Sequence, residues 1–130
     1  MAPHDVPQPT GVELEILRAL WRLGAGTVRQ VHRALAERRT TGYSTTLKMM
    51  QVMRDKGLLL RDDSVRPQVY RPAATRERTQ LQLLDDLVQK AFGGSAAKLL
   101  MQALSAKRVS PQELKEIEEL IRQAKQEARP

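Results

Sequence analysis

The stretch TGYSTTLKMMQVMRDKG, residues 41–57, decides how this chain is read. With Ser44 as N-cap, Ser44, Lys48, Gln51 and Asp55 recur at i, i+4, i+7 and i+11, so they share one face of a helix. Met49, Met50 and Met53 line the other face. Three methionines can suggest a soft-metal box, but their helical spacing points to core packing and no metal. The first face offers hydroxyl, ammonium and amide groups, the side chains that reach base edges or phosphates in a DNA groove.

Two shorter helices are expected before this one. Thr10 and Glu13 form a T-x-x-E capping box, Leu14, Leu17, Leu20 and Trp21 supply an apolar stripe, and Gly24 closes the first helix. Thr27 and Gln30 form a second box, and Val28, Val31 and Leu35 give the apolar face of a helix ending near Arg38. A loop over residues 39–43 leads to the third helix. After Gly57 the pattern becomes that of strands: residues 58–61, a turn through Asp62, Asp63 and Ser64, and residues 68–71. Three helices and a hairpin in this order read as a winged helix-turn-helix, the short arginine-bearing hairpin being the wing.

The chain has 130 residues, and its character changes near Ala73 and Ala74. We therefore expect a mainly α fold with a winged helix-turn-helix head over residues 10–74, a flexible arm over residues 1–9 and an all-helical tail over residues 75–130. Thr75 caps a long helix carrying Leu81, Leu84, Leu87, Val88 and Phe92, ended by Gly93 and Gly94. Ser95 opens a short one with Leu99, Leu100 and Leu104. Ser110, Pro111 and Glu113 stand as N-cap, N1 and N3 of the last, whose stripe is Leu114, Ile117, Leu120 and Ile121. A tail of this length is near the lower limit for burying a core alone. Leu84, Leu87, Val88, Phe92, Leu99, Leu100, Leu114, Ile117, Leu120 and Ile121 are accordingly expected at a homodimer interface, an internal three-helix core being the plainer alternative.

Net charge is +7. Residues 1–74 carry 12 Lys and Arg against 7 Asp and Glu, or +5, and residues 75–130 carry 10 against 8, or +2. The basic excess sits on the head, as expected if that part meets a polyanion. With no cysteine, disulfides and thiolate metal sites are excluded. The start MAPHDVPQP has neither a basic n-region nor an apolar h-region, and no apolar run approaches the roughly 18 residues of a membrane span, so the expected location is cytoplasmic, with no membrane partner.

Catalysis finds little support. His4 lies in the proline-rich arm and His32 on a helix, with no H-x-x-x-H pair and no glycine-rich phosphate loop. Asp62 and Asp63 read as a turn, Asp85 and Asp86 as a solvated helix face. No enzyme activity and no cofactor are expected.

Within a DNA-binding reading, Ser44, Thr45, Lys48 and Gln51 form the groove-facing set. Gln51 can pair bidentately with adenine, Lys48 can donate to guanine, and the hydroxyls suit base or phosphate. Ser44 also reads as a plain N-cap and Gln51 as a solvated side chain. Thr27 and Arg29, at the start of the second helix, with Tyr43, Arg61 and Arg66, are candidate phosphate contacts. Each arginine alone also reads as a surface charge. Thr46 begins the buried face, its methyl packing and its hydroxyl bonding to nearby backbone. A dimer would set two third helices in successive major grooves about 34 Å apart, on a pseudo-palindromic duplex. The competing class is a protein-interaction module built on the same head, because fold does not fix function.

Several segments in order resemble the penicillinase-repressor, or BlaI/MecI-type, transcriptional regulators: ELEILRALW (residues 13–21), GTVRQV (26–31), YSTTL (43–47) with Lys56 and Gly57, VYRP (69–72), FGGS (92–95) and SPQEL (110–114). The similarity runs over residues 10–124. It implies a homodimer with winged heads on DNA and interlocked C-terminal helices, repressing from inverted-repeat operators, often of β-lactam resistance genes. It also admits a sensor protease or its co-effector as a partner. Three departures stand out. Antibiotic-responsive members are cleaved at an Asn-Phe bond where this chain has Gln102 and Ala103. Copper-responsive relatives carry a C-terminal cysteine cluster, absent here. Leu47 and Val52 occupy positions that are basic in many members.

Overall fold

The computed structural model describes residues 8–38 and 40–129. Residues 1–7 of the expected arm, with His4, lie outside the described residues. Among those described, the order is α1 (Gly11–Leu23), α2 (Val28–Ala36), α3 (Tyr43–Asp55), β1 (Leu59–Asp62), β2 (Val69–Pro72), α4 (Arg76–Ala91), α5 (Ala96–Ser105) and α6 (Pro111–Glu127). This is the mainly helical fold with a winged helix head and helical tail that the sequence leads one to expect. The chain divides into two compact units, Met1–Asp85 and Asp86–Pro130.

Local capping starts the first two helices where hydroxyls meet acceptors of the right length. The Thr10 hydroxyl accepts from the Glu13 amide while the Thr10 amide donates to Glu13 Oε1, and Thr27 and Gln30 repeat the arrangement. Gly24 closes α1 with φ +82, a left-handed conformation that strains a residue with a Cβ.

The third helix departs from expectation at its start. Ser44 is not the N-cap: Gly42 is, with extended backbone at φ −72 and ψ 157, and Tyr43 is already helical rather than the end of the loop. The Thr46 amide donates to Gly42 O at 3.1 Å. Starting two residues earlier than the sequence suggests, α3 places Ser44 inside its first turn.

The head's core is made of Ile16, Leu17, Leu20, Val28, Val31, Leu35, Met50, Met53, Leu58, Leu59 and Tyr70. Leu14, Trp21 and Met49 pack partly against it. Met50 and Met53 are fully buried, as their spacing implies. Ile16 and Tyr70 are core side chains that the sequence reading did not single out.

The wing is antiparallel, pairing Leu59 with Pro72, Leu60 with Arg71, Arg61 with Tyr70 and Asp62 with Val69. Each strand begins one residue later than expected. A contact invisible in the local pattern fixes the wing to the helices: Gly26 N–H donates to Tyr70 O at 2.9 Å and Tyr70 N–H donates to Gly26 O at 2.8 Å. This bridge lays the link between α1 and α2 alongside β2. A Cβ on Gly26 would sit 3.2 Å from Leu23 Cδ1 and 3.3 Å from Gln30 Oε1, a tight fit. The Trp21 indole N–H donates to Ala74 O at 3.1 Å and holds the exit from β2 against α1.

In the tail, Thr75 Oγ1 accepts from the Arg78 amide, Ser95 Oγ from that of Lys98, and Ser110 with Glu113 makes a third capping box. Gly93 and Gly94, at φ +59 and +84, end α4. No helix among the described residues is long and apolar enough to cross a membrane.

Candidate nucleic-acid interface

Burial divides α3 lengthwise. Thr46, Met50 and Met53 are 0% exposed, whereas Ser44, Thr45, Lys48 and Gln51 are exposed. The four candidate base readers therefore lie on the solvent side of a helix whose opposite side is fixed in the core. Ser44, Thr45 and Lys48 also border one shallow depression of about 460 Å³, together with Met49, Val52 and Glu13; Gln51 lies outside it.

Thr46 sits on the buried side. Its hydroxyl contacts Gly42 O and His32 Nδ1, each at 3.4 Å, in line with a packing residue that bonds to local backbone. His32 is half-buried, with its ring edge-on to Tyr43 at 5.9 Å between centroids.

Tyr43 joins two helix starts. The Arg29 guanidinium carbon lies 5.6 Å from the centre of the Tyr43 ring, a cation–π distance, so α2 and α3 bring these two phosphate candidates together. Thr27 lies at the same end of α2, its amide donating to Gln30 Oε1 and its hydroxyl accepting from the Gln30 amide. An anion at that helix start would face the Thr27 hydroxyl proton and the amides that follow it.

On the wing, Arg61 is engaged by Asp63, which also accepts from Gln68 Nε2 at 3.1 Å. The Asp63 carboxylate, accepting from the guanidinium, holds the Arg61 pKa above its ordinary value, and the same contact holds Asp63 low. A phosphate approaching Arg61 competes with a carboxylate already in place. Arg66, near the hairpin tip, is exposed. Asp62 accepts from the Ser64 amide and hydroxyl, forming the turn expected from Asp62, Asp63 and Ser64, and the Ser64 hydroxyl keeps the Asp62 carboxyl low.

Among the described residues no group of three or more His, Cys, Asp or Glu is placed to hold a metal ion. A larger concavity of about 530 Å³ lies between α1, α2 and the start of α4, with Trp21, Arg18, Arg22, Arg38 and Arg76 on its walls. It shares no residue with the α3 depression.

The penicillinase repressor family matches residues 9–123, which include every element of the head and nearly all of the tail. The chain belongs to that family. Two relatives, each named transcriptional regulator BlaI, come from Mycobacterium tuberculosis strains CDC 1551 / Oshkosh and ATCC 25618 / H37Rv. Each is 34% identical over 92 residues, covering 69% of this chain and 67% of the relative. Gln102 and Ala103, where the resemblance aligns a cleaved bond in some family members, lie in α5, Gln102 exposed and Ala103 half-buried.

The sequence reading missed one residue near this interface. Glu13 appeared as a capping residue, yet it is 5% exposed, pairs with Lys56 at 2.8 Å and closes the α1 side of the depression. Its capping role was legible because it is local; its partner lies 43 residues away, beyond any local signal.

Proposed function

We propose that the protein is a dimeric transcriptional repressor that occupies a pseudo-palindromic, inverted-repeat operator on double-stranded DNA, at β-lactam resistance or related genes. The observation that carries this reading is the division of α3. A helix with Thr46, Met50 and Met53 fully buried and Ser44, Thr45, Lys48 and Gln51 exposed presents a fixed polar edge of the size a major groove accepts.

Lys48 donates to guanine, Gln51 pairs with adenine, and Ser44 and Thr45 bond to base or phosphate. Thr27, Arg29 and Tyr43 at the joined helix starts, with Arg61 and Arg66 on the wing, hold the backbone on either side and set the register. Family membership and the BlaI relatives support regulation of transcription by DNA binding, not catalysis. The protein works in the cytoplasm, and release from DNA involves a sensor protease or its co-effector.

Dimerisation is supported by what the tail leaves in water. Leu84, Leu87, Leu100, Leu114, Leu120 and Ile121 are 37–62% exposed, while Phe92, Leu99 and Ile117 are half-buried and Val88 is buried. Exposed apolar side chains on each tail helix are the signature of an interaction surface. Two copies covering these stripes would also supply the two-fold symmetry that a palindromic site requires.

The test is selection of bound duplexes from a random pool at near-physiological salt. A two-fold symmetric consensus, bound with a logarithmic salt slope of about 0.9 per phosphate contact, is the expected result. Absence of enrichment, with weak charge-driven retention alone, would sink the proposal and favour a protein-interaction module.

A further inference from the structure

The polar edge of α3 has an apolar flank. Thr45, Lys48, Met49 and Val52 follow one another at i, i+3, i+4 and i+7, so they form one stripe, and all four border the depression closed by Glu13. Val52 is 39% exposed there, and Met49 is half-buried beside it. A β-branched residue gains nothing intrinsically from an exposed helical position, so core formation does not explain Val52. The Lys48 ammonium stands on the rim of the same depression.

Only one base offers an apolar group in the major groove. Thymine presents its C5 methyl there, whereas guanine, adenine and cytosine present hydrogen-bonding atoms. We infer that the depression bordered by Thr45, Met49 and Val52 receives a thymine methyl, and that Val52 thereby specifies thymine at the base pair next to the one read by Lys48. This rests on α3 being the reading helix, and it adds a specificity determinant that no hydrogen-bonding residue of the polar edge supplies. Charge favours DNA over an apolar peptide as the occupant, because the rim carries Lys48 and the Glu13 carboxylate is already neutralised by Lys56.

The experiment uses the full chain and its selected duplex, with each thymine replaced in turn by deoxyuridine. That exchange deletes the methyl and keeps every hydrogen-bonding group. One thymine in each half-site should weaken binding about three- to tenfold when replaced, the effect of losing one buried methyl per half-site. In Val52→Ala the same replacement should change affinity by less than about twofold, and Val52→Thr, which keeps one methyl, should fall between. Because Val52 is outside the core, both variants should melt with the wild-type protein, which separates a lost contact from a lost fold.

Wild-type protein that discriminates its duplex from a scrambled one yet responds to no thymine replacement overturns the inference and leaves the α3 reading standing. An equal response in wild type and Val52→Ala also overturns it, by placing the methyl elsewhere. Wild-type protein that discriminates no duplex removes the α3 reading itself, and the inference with it.

Discussion

Lys56 Nζ lies 2.8 Å from Glu13 Oε2, an ion pair that ties the first turn of α1 to the residue capping α3. The other Glu13 oxygen accepts from the Thr10 amide at 2.9 Å, so one buried carboxylate closes a capping box and clamps two helices. The clamp fixes the end of α3 opposite the Tyr43, Arg29 and His32 cluster. Both ends of the candidate reading helix are thereby held by contacts outside its own backbone.

The clamp has a pH signature. Burial pushes the Glu13 carboxyl up, but the Lys56 hydrogen bond, the Thr10 amide and the Lys56 charge outweigh it, so the group titrates below its ordinary 4.5. A depressed folded-state pKa contributes stability that is present above the unfolded value and lost as pH falls through the folded one. Lys56 is 39% exposed, which limits the pair to about 1–2 kcal/mol at neutral pH. Urea unfolding of Glu13→Gln should therefore show a lower midpoint at pH 7, and the deficit should shrink as pH falls below the ordinary carboxyl value of 4.5 toward the lower folded one. A deficit that stays constant across that range would show that the carboxylate charge is not the source.

Thr46→Val tests the buried side of α3. The Thr46 hydroxyl makes two contacts of 3.4 Å, the long limit of a hydrogen bond, and Gly42 O keeps the Thr46 amide when the hydroxyl is removed. His32, half-buried, can turn to water. Little bonding is lost and an apolar methyl is gained, so the expected change in unfolding free energy is within about 0.5 kcal/mol, with unchanged operator preference. Altered base preference would move Thr46 into the reading set.

What the sequence made legible was local. The boxes of Thr10 with Glu13, Thr27 with Gln30 and Ser110 with Glu113 are four-residue signals, and each helix starts where its signal stands. The start of α3 was misread because its determinants are tertiary: Tyr43 is drawn into the first turn beside His32 and Arg29, from another helix, and Gly42 caps by backbone alone. The one-residue shift of both strands has a similar origin, since Gly26 pairs with Tyr70 across 44 residues and fixes the register. The polar edge of α3 was legible from periodicity; the apolar depression beside it required knowing that Glu13 lies against that helix.

Lys48→Ala and Gln51→Ala address that polar edge. Each should relax preference at its own base pair by about 1–3 kcal/mol per lost contact, while dimerisation and melting stay unchanged because both side chains are exposed. Binding to duplexes varied one pair at a time reads the effect. Unaltered preference in both variants would remove α3 as the reader.

The wing arginines should separate. Arg66 is exposed, so Arg66→Ala should weaken all duplexes about equally and lower the salt slope by about 1. Arg61 already holds Asp63, and Arg61→Ala should change the slope less. Equal slopes for the wild type and Arg66→Ala would place the hairpin tip away from phosphate.

The tail stripe is tested by Ile117→Asp combined with Leu120→Asp. Leu120 is 62% exposed and Ile117 half-buried, so the change costs the isolated chain little packing yet sets two carboxylates in the surface assigned to the partner copy. Burying unpaired charges there is strongly unfavourable, and sedimentation should show a dimeric wild type and a monomeric double variant. With the heads uncoupled, affinity for the two-fold operator should fall by roughly 10²-fold or more, while a single half-site is bound as before. A double variant that stays dimeric would place the interface on another face of the tail, and a fall in half-site binding would show that the tail supports the head directly.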